Sequence, residues 1–337
     1  MVAQQVPVPV VGESWCSMPV IESAYKAPFY LRNKHLSTVL PSLFRTVNGV
    51  DYKRERITTP DNDFLDLDWI ENGNNKVVIV LHGLEGNSER HYSLGIVKHF
   101  VANGWDAVAW NARSCSGEMN GQPRMYHHAD IADLEITIER VLDKKNYEFI
   151  ALVGVSMGGA IILNYLSKTL RTIPDQIKAA VAISAPVDVG DSARELEMKG
   201  NGFYLNRFLK KLKRKIEHKS KVFPDLINIS NLEAIHSFSE FDDAYTAPLH
   251  GFVDANDFYR NASSKSHLKN ISRPTLILTA KNDPFMPDSC YPFQEAKQSK
   301  YVYLEVPKHG GHVGFPINGI RDSWMEIRAL EFVKNFI

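Results

Sequence analysis

At 337 residues the chain is about twice the usual domain length, which leaves room for two domains or for one large α/β domain with an insertion. Apolar residues make up 44%, charged residues 23% and aromatics 10%, with 20 Gly and 17 Pro, a balance that excludes disordered, collagen-like and coiled-coil chains. The 39 Lys and Arg cancel the 39 Asp and Glu, so no whole-molecule field recruits nucleic acid or an acidic ligand.

The opening MVAQQVPVPVVGESW lacks a basic start, and Pro7 and Pro9 break its short apolar run, so it does not read as a signal peptide. Three cysteines, Cys16, Cys115 and Cys290, form no CxxC pair, which argues against a disulfide framework or a thiolate zinc site and suits a reducing, cytoplasmic setting. Residues 54–70 (RERITTPDNDFLDLDWI) alternate about a PDND turn and predict an antiparallel hairpin at a sheet edge. KVVIVL (76–81) predicts a buried strand, followed by the loop HGLEGNSERHY and a helix to about 102. DAVAW (106–110) is the next strand, and residues 130–144 place Ile131, Leu134, Ile138 and Leu142 on one helical face.

Residues 149–166 carry no charge for 18 positions, yet GVSMGG lies inside them, so a strand, a turn and a buried helix explain the run better than a membrane span. Further strands are predicted at 179–184, 274–280 and 301–306, and a helix at 324–336. Nearly ninety residues between Ser184 and Pro274 hold no clear core strand, which reads as an inserted helical cap. Alternating strands and helices predict one mostly parallel sheet with helices on both faces, an antiparallel opening hairpin and a lid over the strands' C-terminal ends.

Gly154-Val155-Ser156-Met157-Gly158 is a G-x-S-x-G motif set between a Val-rich strand and an apolar helix, the context a nucleophile elbow requires. A serine hydroxyl is a poor nucleophile near neutral pH, so it needs an imidazole to take its proton and a carboxylate to orient that imidazole. The order Ser, acid, His puts the acid after a late strand and the histidine near the end of the chain. Asp283, directly after PTLILTAKN, is preferred over Asp288, which reads as a helix-start carboxylate. His312, in the glycine-rich KHGGHVGF, is preferred over His309, and no acidic cluster or HExxH accompanies the pair to suggest a metal. Backbone N–H groups of Met157 and of Leu84, in the HGLEG loop, are the predicted oxyanion donors, whereas His82 reads as a structural support. A lone Cys115 reads as a packed side chain rather than a nucleophile.

Taken together, these residues resemble the YheT-like branch of the α/β hydrolases, whose members include esterases and acylglycerol lipases. The resemblance runs from about Pro28 to Phe336 through FYLRNKHLSTVLPSL, HGLEGNSERHY, RSCSGEMNGQPRMYHHAD, GVSMGG, EFDDAYTAPLHGF, NDPFMP and HGGHVGF. It implies an α/β-hydrolase fold with Ser156 as nucleophile, Asp283 as acid and His312 as base. Two departures, Arg113-Ser114-Cys115-Ser116-Gly117 in place of RGCSG and Tyr126-His127-His128-Ala129 in place of YHSG, bear on substrate shape. The expected division is an extension at 1–27, core at 28–187, cap at 188–270 and core again at 271–337.

Residues 207–221 hold eight Lys or Arg against one Glu, with Phe208, Leu212 and Ile216 four apart. Such a basic amphipathic helix reads as a solvated cap helix or as a lid resting on anionic lipid. The expectation is a cofactor-independent serine hydrolase of carboxylic esters, short-chain or lipid, with no metal, no nucleic-acid partner and no transmembrane segment. Acyl transfer or thioester hydrolysis by the same triad, and a non-catalytic binding role, are the alternatives.

Overall fold

The computed structural model describes residues 19–337. Cys16 and most of the expected N-terminal extension, including the run judged not to be a signal peptide, lie outside the described residues. Nine strands form one sheet: β1 (Val20–Ile21), β2 (Lys53–Thr58), β3 (Phe64–Ile70), β4 (Lys76–Leu81), β5 (Asp106–Asn111), β6 (Phe149–Val155), β7 (Ile177–Ile183), β8 (Thr275–Leu278) and β9 (Val302–Glu305). Their order is β1-β9-β8-β7-β6-β4-β5-β3-β2. All pairings are parallel except β2 with β3 and β3 with β5. The hairpin expected at residues 54–70 is thus the antiparallel edge of a parallel sheet. Val20–Ile21, assigned from sequence to the extension, pairs with β9 at the opposite edge.

Helices cover both faces: α1 (Lys34–Phe44), α2 (His91–Val101), α3 (Ile131–Lys144), α4 (Met157–Lys168), then α5 (Val189–Glu197), α6 (Gly202–Val222), α7 (Phe238–Phe241), α8 (Ala247–His250) and α9 (Ala255–Ala262), and finally α10 (Phe293–Lys297) and α11 (Trp324–Lys334). The strand period of two sorts the core into halves. Val77, Ile79 and Leu81 of β4 pack with Leu134 and Ile138 of α3 and Ile161 of α4. Val78 and Val80 pack on the other face with Ile96 and Phe100 of α2 and Leu330 of α11. A strand buried on both faces reads as a continuous apolar run, which is why KVVIVL is visible in the sequence.

Helices α5 to α9 rise from the strand ends between β7 and β8, the stretch read as a cap. The basic segment forms most of α6, and its apolar Leu205, Leu209, Leu212 and Ile216 are buried. Three of its lysines also turn inward: Lys211 Nζ donates to the Glu85 carbonyl at 3.0 Å, Lys215 Nζ to Glu85 Oε1 at 2.7 Å, and Lys219 Nζ to the carbonyls of Asn120, at 3.1 Å, and Gln122. Part of the positive stripe is therefore a set of internal tethers. Among the described residues, no helix is long and apolar enough to cross a membrane.

Candidate active site

Ser156 caps α4 directly after β6, at φ 54° and ψ −117°, a conformation that a non-glycine residue adopts only when its surroundings impose it. Those surroundings are close-packed. A Cβ on Gly158 would collide with the Leu81 carbonyl of the neighbouring strand, so only glycine lets α4 pass β4 at this distance. The main chain at Ser156 is fixed by its N–H to Ile183 O at 2.8 Å.

His312 lies between β9 and α11, with Asp283 beyond the end of β8. His312 Nδ1 and Asp283 Oδ2 are 2.8 Å apart and both residues are buried. Since a carboxylate can only accept, Nδ1 carries the proton and Nε2 of the neutral ring is left as an acceptor. The second carboxylate oxygen, Oδ1, accepts the Phe285 N–H at 2.9 Å, and the Phe285 ring stacks on the imidazole with centroids 4.0 Å apart. Asp288 stands elsewhere: exposed and paired with Lys281 at 2.5 Å, a hydrogen bond that holds its pKa below the usual carboxylate value. His309 sits beside Arg32 and Lys308, and partial burial followed by those charges lowers its pKa. The structure thus pairs Asp283 with His312 and separates both rivals from them.

Ser156 and His312 line one cavity, and Leu84 lines it with them. No hydrogen bond joins Ser156 Oγ to His312 in this conformation. The hydroxyl turns freely about one bond, and such contacts commonly tighten only when substrate is bound. Met157 opens α4, where first-turn amides have no intrahelical acceptor. Leu84 follows Gly83, whose position is so close to Ser156 that an added Cβ would lie 3.1 Å from the serine Cβ.

His82 acts as a strut. Nδ1 meets the Gly83 carbonyl at 2.7 Å and Nε2 accepts the Ala112 N–H at 3.0 Å, which fixes one neutral tautomer. Complete burial lowers its pKa to about 4. Cys115 is buried with Lys215 Nζ 3.2 Å from its sulfur, and burial raises its pKa, which keeps the thiol protonated. The departure at Arg113 to Gly117 is held by Arg113, buried among Asp61, Asp63 and Asp133 at 2.9–3.0 Å.

One positioning element was not found from sequence. α1 packs beneath the His312 loop, and Thr38 Oγ1 accepts the His312 N–H at 2.8 Å. Gly311, at φ 61°, leaves room for Ser37 and Thr38 that no side chain could spare. The available signal was the adjacent Ser37-Thr38 pair inside the helical run KHLSTVLPSLF, and the structure buries both although they are polar.

Ser156 also lines a second cavity. Leu84, Ser156, Phe208 and Phe285 border both. This second space is apolar, walled by residues such as Val189, Leu196, Leu212, Phe238 and Phe258, with Asp242 in its wall. Burial pushes the Asp242 carboxyl up to about 7, while Thr246 Oγ1 and Tyr259 OH donate to it at 2.5 and 2.8 Å.

A doubly covered, mostly parallel sheet with a strained serine at a strand-to-helix turn is the architecture of an α/β hydrolase. The chain belongs to that family: the profile of the alpha/beta hydrolase fold matches residues 76–318. YheT of Escherichia coli K12, provisionally named an esterase, is 34% identical over 314 residues, covering 90% of this chain and 91% of its own. Phospholipase ABHD3 of Bos taurus is 30% identical, with 95% and 80% covered. Monoacylglycerol lipase of Saccharomyces cerevisiae is 27% identical, with 90% and 68% covered. Among solved structures, the Pyrococcus furiosus esterase Pf2001 superposes with a TM-score of 0.58 at 20% identity over 87% of this chain and 96% of its own, a likeness of fold.

Proposed function

We propose that Ser156, His312 and Asp283 form the catalytic triad of this carboxylic ester hydrolase, and that the Leu84 and Met157 amides stabilise its oxyanion. The observation that carries the reading is the 2.8 Å His312–Asp283 contact beside a serine held in the strained conformation of a nucleophile elbow. His312 Nε2 takes the Ser156 proton as Oγ adds to the ester carbonyl. The tetrahedral oxyanion turns toward the two amides, the C–O bond to the alcohol breaks, and the imidazolium returns its proton to the leaving oxygen. Water then repeats the cycle: His312 takes a water proton, hydroxide adds to the acyl-enzyme, and Ser156 recovers the proton as the acid departs.

Relatives named esterase, phospholipase and monoacylglycerol lipase favour an acyl ester as substrate. The apolar cavity beside Ser156 favours one with an alkyl acyl chain. A fluorophosphonate probe is expected to label the protein with loss of fluoride and to leave Ser156→Ala unlabelled. Equal labelling of both proteins overturns the assignment.

A further inference from the structure

We propose that the cavity shared by Ser156 and His312 is a head-group subsite for an oxyanion, so that the preferred substrate is an acyl ester whose alcohol carries a phosphate or carboxylate. The inference rests on the triad reading above and adds what the two cavities select. They are chemically unlike. The apolar one has neither lysine nor arginine in its wall. The other is bordered by Arg90, Arg207 and Lys211, against the single carboxylate of Glu85.

That carboxylate is already engaged, since Glu85 Oε1 accepts Lys215 Nζ at 2.7 Å and the Tyr126 hydroxyl at 2.5 Å. Among the described residues none of the three bordering cations is paired with a carboxylate: Arg90 reaches the Ser42 hydroxyl at 3.3 Å, and Lys211 binds a backbone carbonyl. Burial lowers the Lys211 pKa; among the charges, the pull of Glu85 is opposed by repulsion from Arg90, Arg207 and Lys215. Like charges gathered beside low-dielectric walls cost stability unless something of opposite sign completes them. Guanidinium groups suit the forked geometry of phosphate and carboxylate oxygens.

Because both cavities meet at Ser156, an ester spanning the junction would place its acyl chain among Val189, Leu196 and Phe238 and its alcohol among the cations. On cleavage the anionic alcohol leaves from the cationic side with the proton from His312, and the acyl group stays on Ser156 until water releases it.

The test compares kcat/KM for monohexanoyl glycerol phosphate and hexanoyl glycolate with that for neutral monohexanoyl glycerol, all below the concentration at which they aggregate, so that no lipid surface takes part. One or both anionic esters are expected to be preferred by about tenfold or more. The ratio is expected to collapse toward one in Arg207→Gln with Lys211→Gln and to persist in Lys210→Gln, whose exposed charge borders neither cavity. Which ester wins distinguishes phosphate from carboxylate. A ratio at or below one for both, or a ratio indifferent to the paired substitution, overturns the subsite while neutral-ester turnover leaves the triad standing. If no ester is cleaved, protection of Ser156 from the fluorophosphonate by hexyl phosphate over hexanol gives the same comparison, and equal protection overturns the subsite. Absence of Ser156 labelling removes the triad reading and the inference with it.

Discussion

At the residue scale, one aspartate is separated from its neighbour by geometry alone. Asp283 and Asp288 are both short acids after the same strand, yet Asp283 is buried against His312 and Asp288 is exposed against Lys281. Replacing Asp283 by Asn keeps the shape and removes the charge that fixes the Nδ1–H tautomer, so kcat is expected to fall by about 10⁴. Asp288→Asn should leave kcat within about twofold of wild type, because an exposed pair holds little free energy. Steady-state kinetics on one chromogenic ester measures both. Sequence placed Asp283 correctly at a strand end, since a β8 run of apolar residues announces where a loop begins. It could not supply Thr38, which reaches His312 from 274 positions away. Thr38→Val leaves the His312 amide without its acceptor, and a loss of about 1–3 kcal/mol in unfolding free energy is expected from urea titration.

Elements show where a pattern is ambiguous. A stripe of lysines along a helix normally marks the solvent face, and on α6 the residues at 211, 215 and 219, one turn apart, are instead the side that clips the cap to the loops at Glu85 and at 120–122. Periodicity gives the apolar face but is silent on which flank meets a distant loop. The consequence is testable: Lys219→Met strands two carbonyls and is expected to cost about 1–3 kcal/mol, with faster proteolytic nicking near the cap, whereas the exposed Lys221→Met should be neutral. The Arg113 cluster is a stronger clamp. Arg113→Met leaves Asp61, Asp63 and Asp133 facing one another with only the weaker attraction of Arg124 and Lys219, a loss of about 3–5 kcal/mol by chemical denaturation.

For the whole molecule, buried titratable groups set the response to pH. Burial is the leading cause that lowers the pKa of His82, His128 and His250 to about 4 and of His91 to about 3, and that of His127 is also well below its ordinary value. A histidine neutral in the fold but protonated when unfolded contributes stability that is present above about pH 6.5 and lost as pH falls toward its folded pKa. Asp242, at about 7 through burial, and Asp130, also about 7 through burial and then the charge of Asp133, act in the opposite sense. Their contribution is present below about pH 4 and lost as pH rises to about 7. The histidines lowered by burial outnumber the carboxylates it raises, Glu331 included, so the melting temperature is expected to fall as pH drops from about 6.5 to about 4. Asp242→Asn should steepen that fall, because it removes an opposing group. A melting temperature flat across this window in both proteins contradicts the account.

By itself the sequence determined the sheet, its antiparallel edge and the tight turn at Ser156. Each of these is written locally: β-branched runs buried on both faces, a PDND turn, glycines where a helix passes a strand. Tertiary structure alone decided which lysines of α6 face inward, that α1 supports the histidine loop, and that Ser156 stands between an apolar space and a cationic one. Those properties arise from side chains hundreds of positions apart meeting in space, and a one-dimensional pattern of polarity carries no record of which distant charge, carbonyl or ring will come to lie against which.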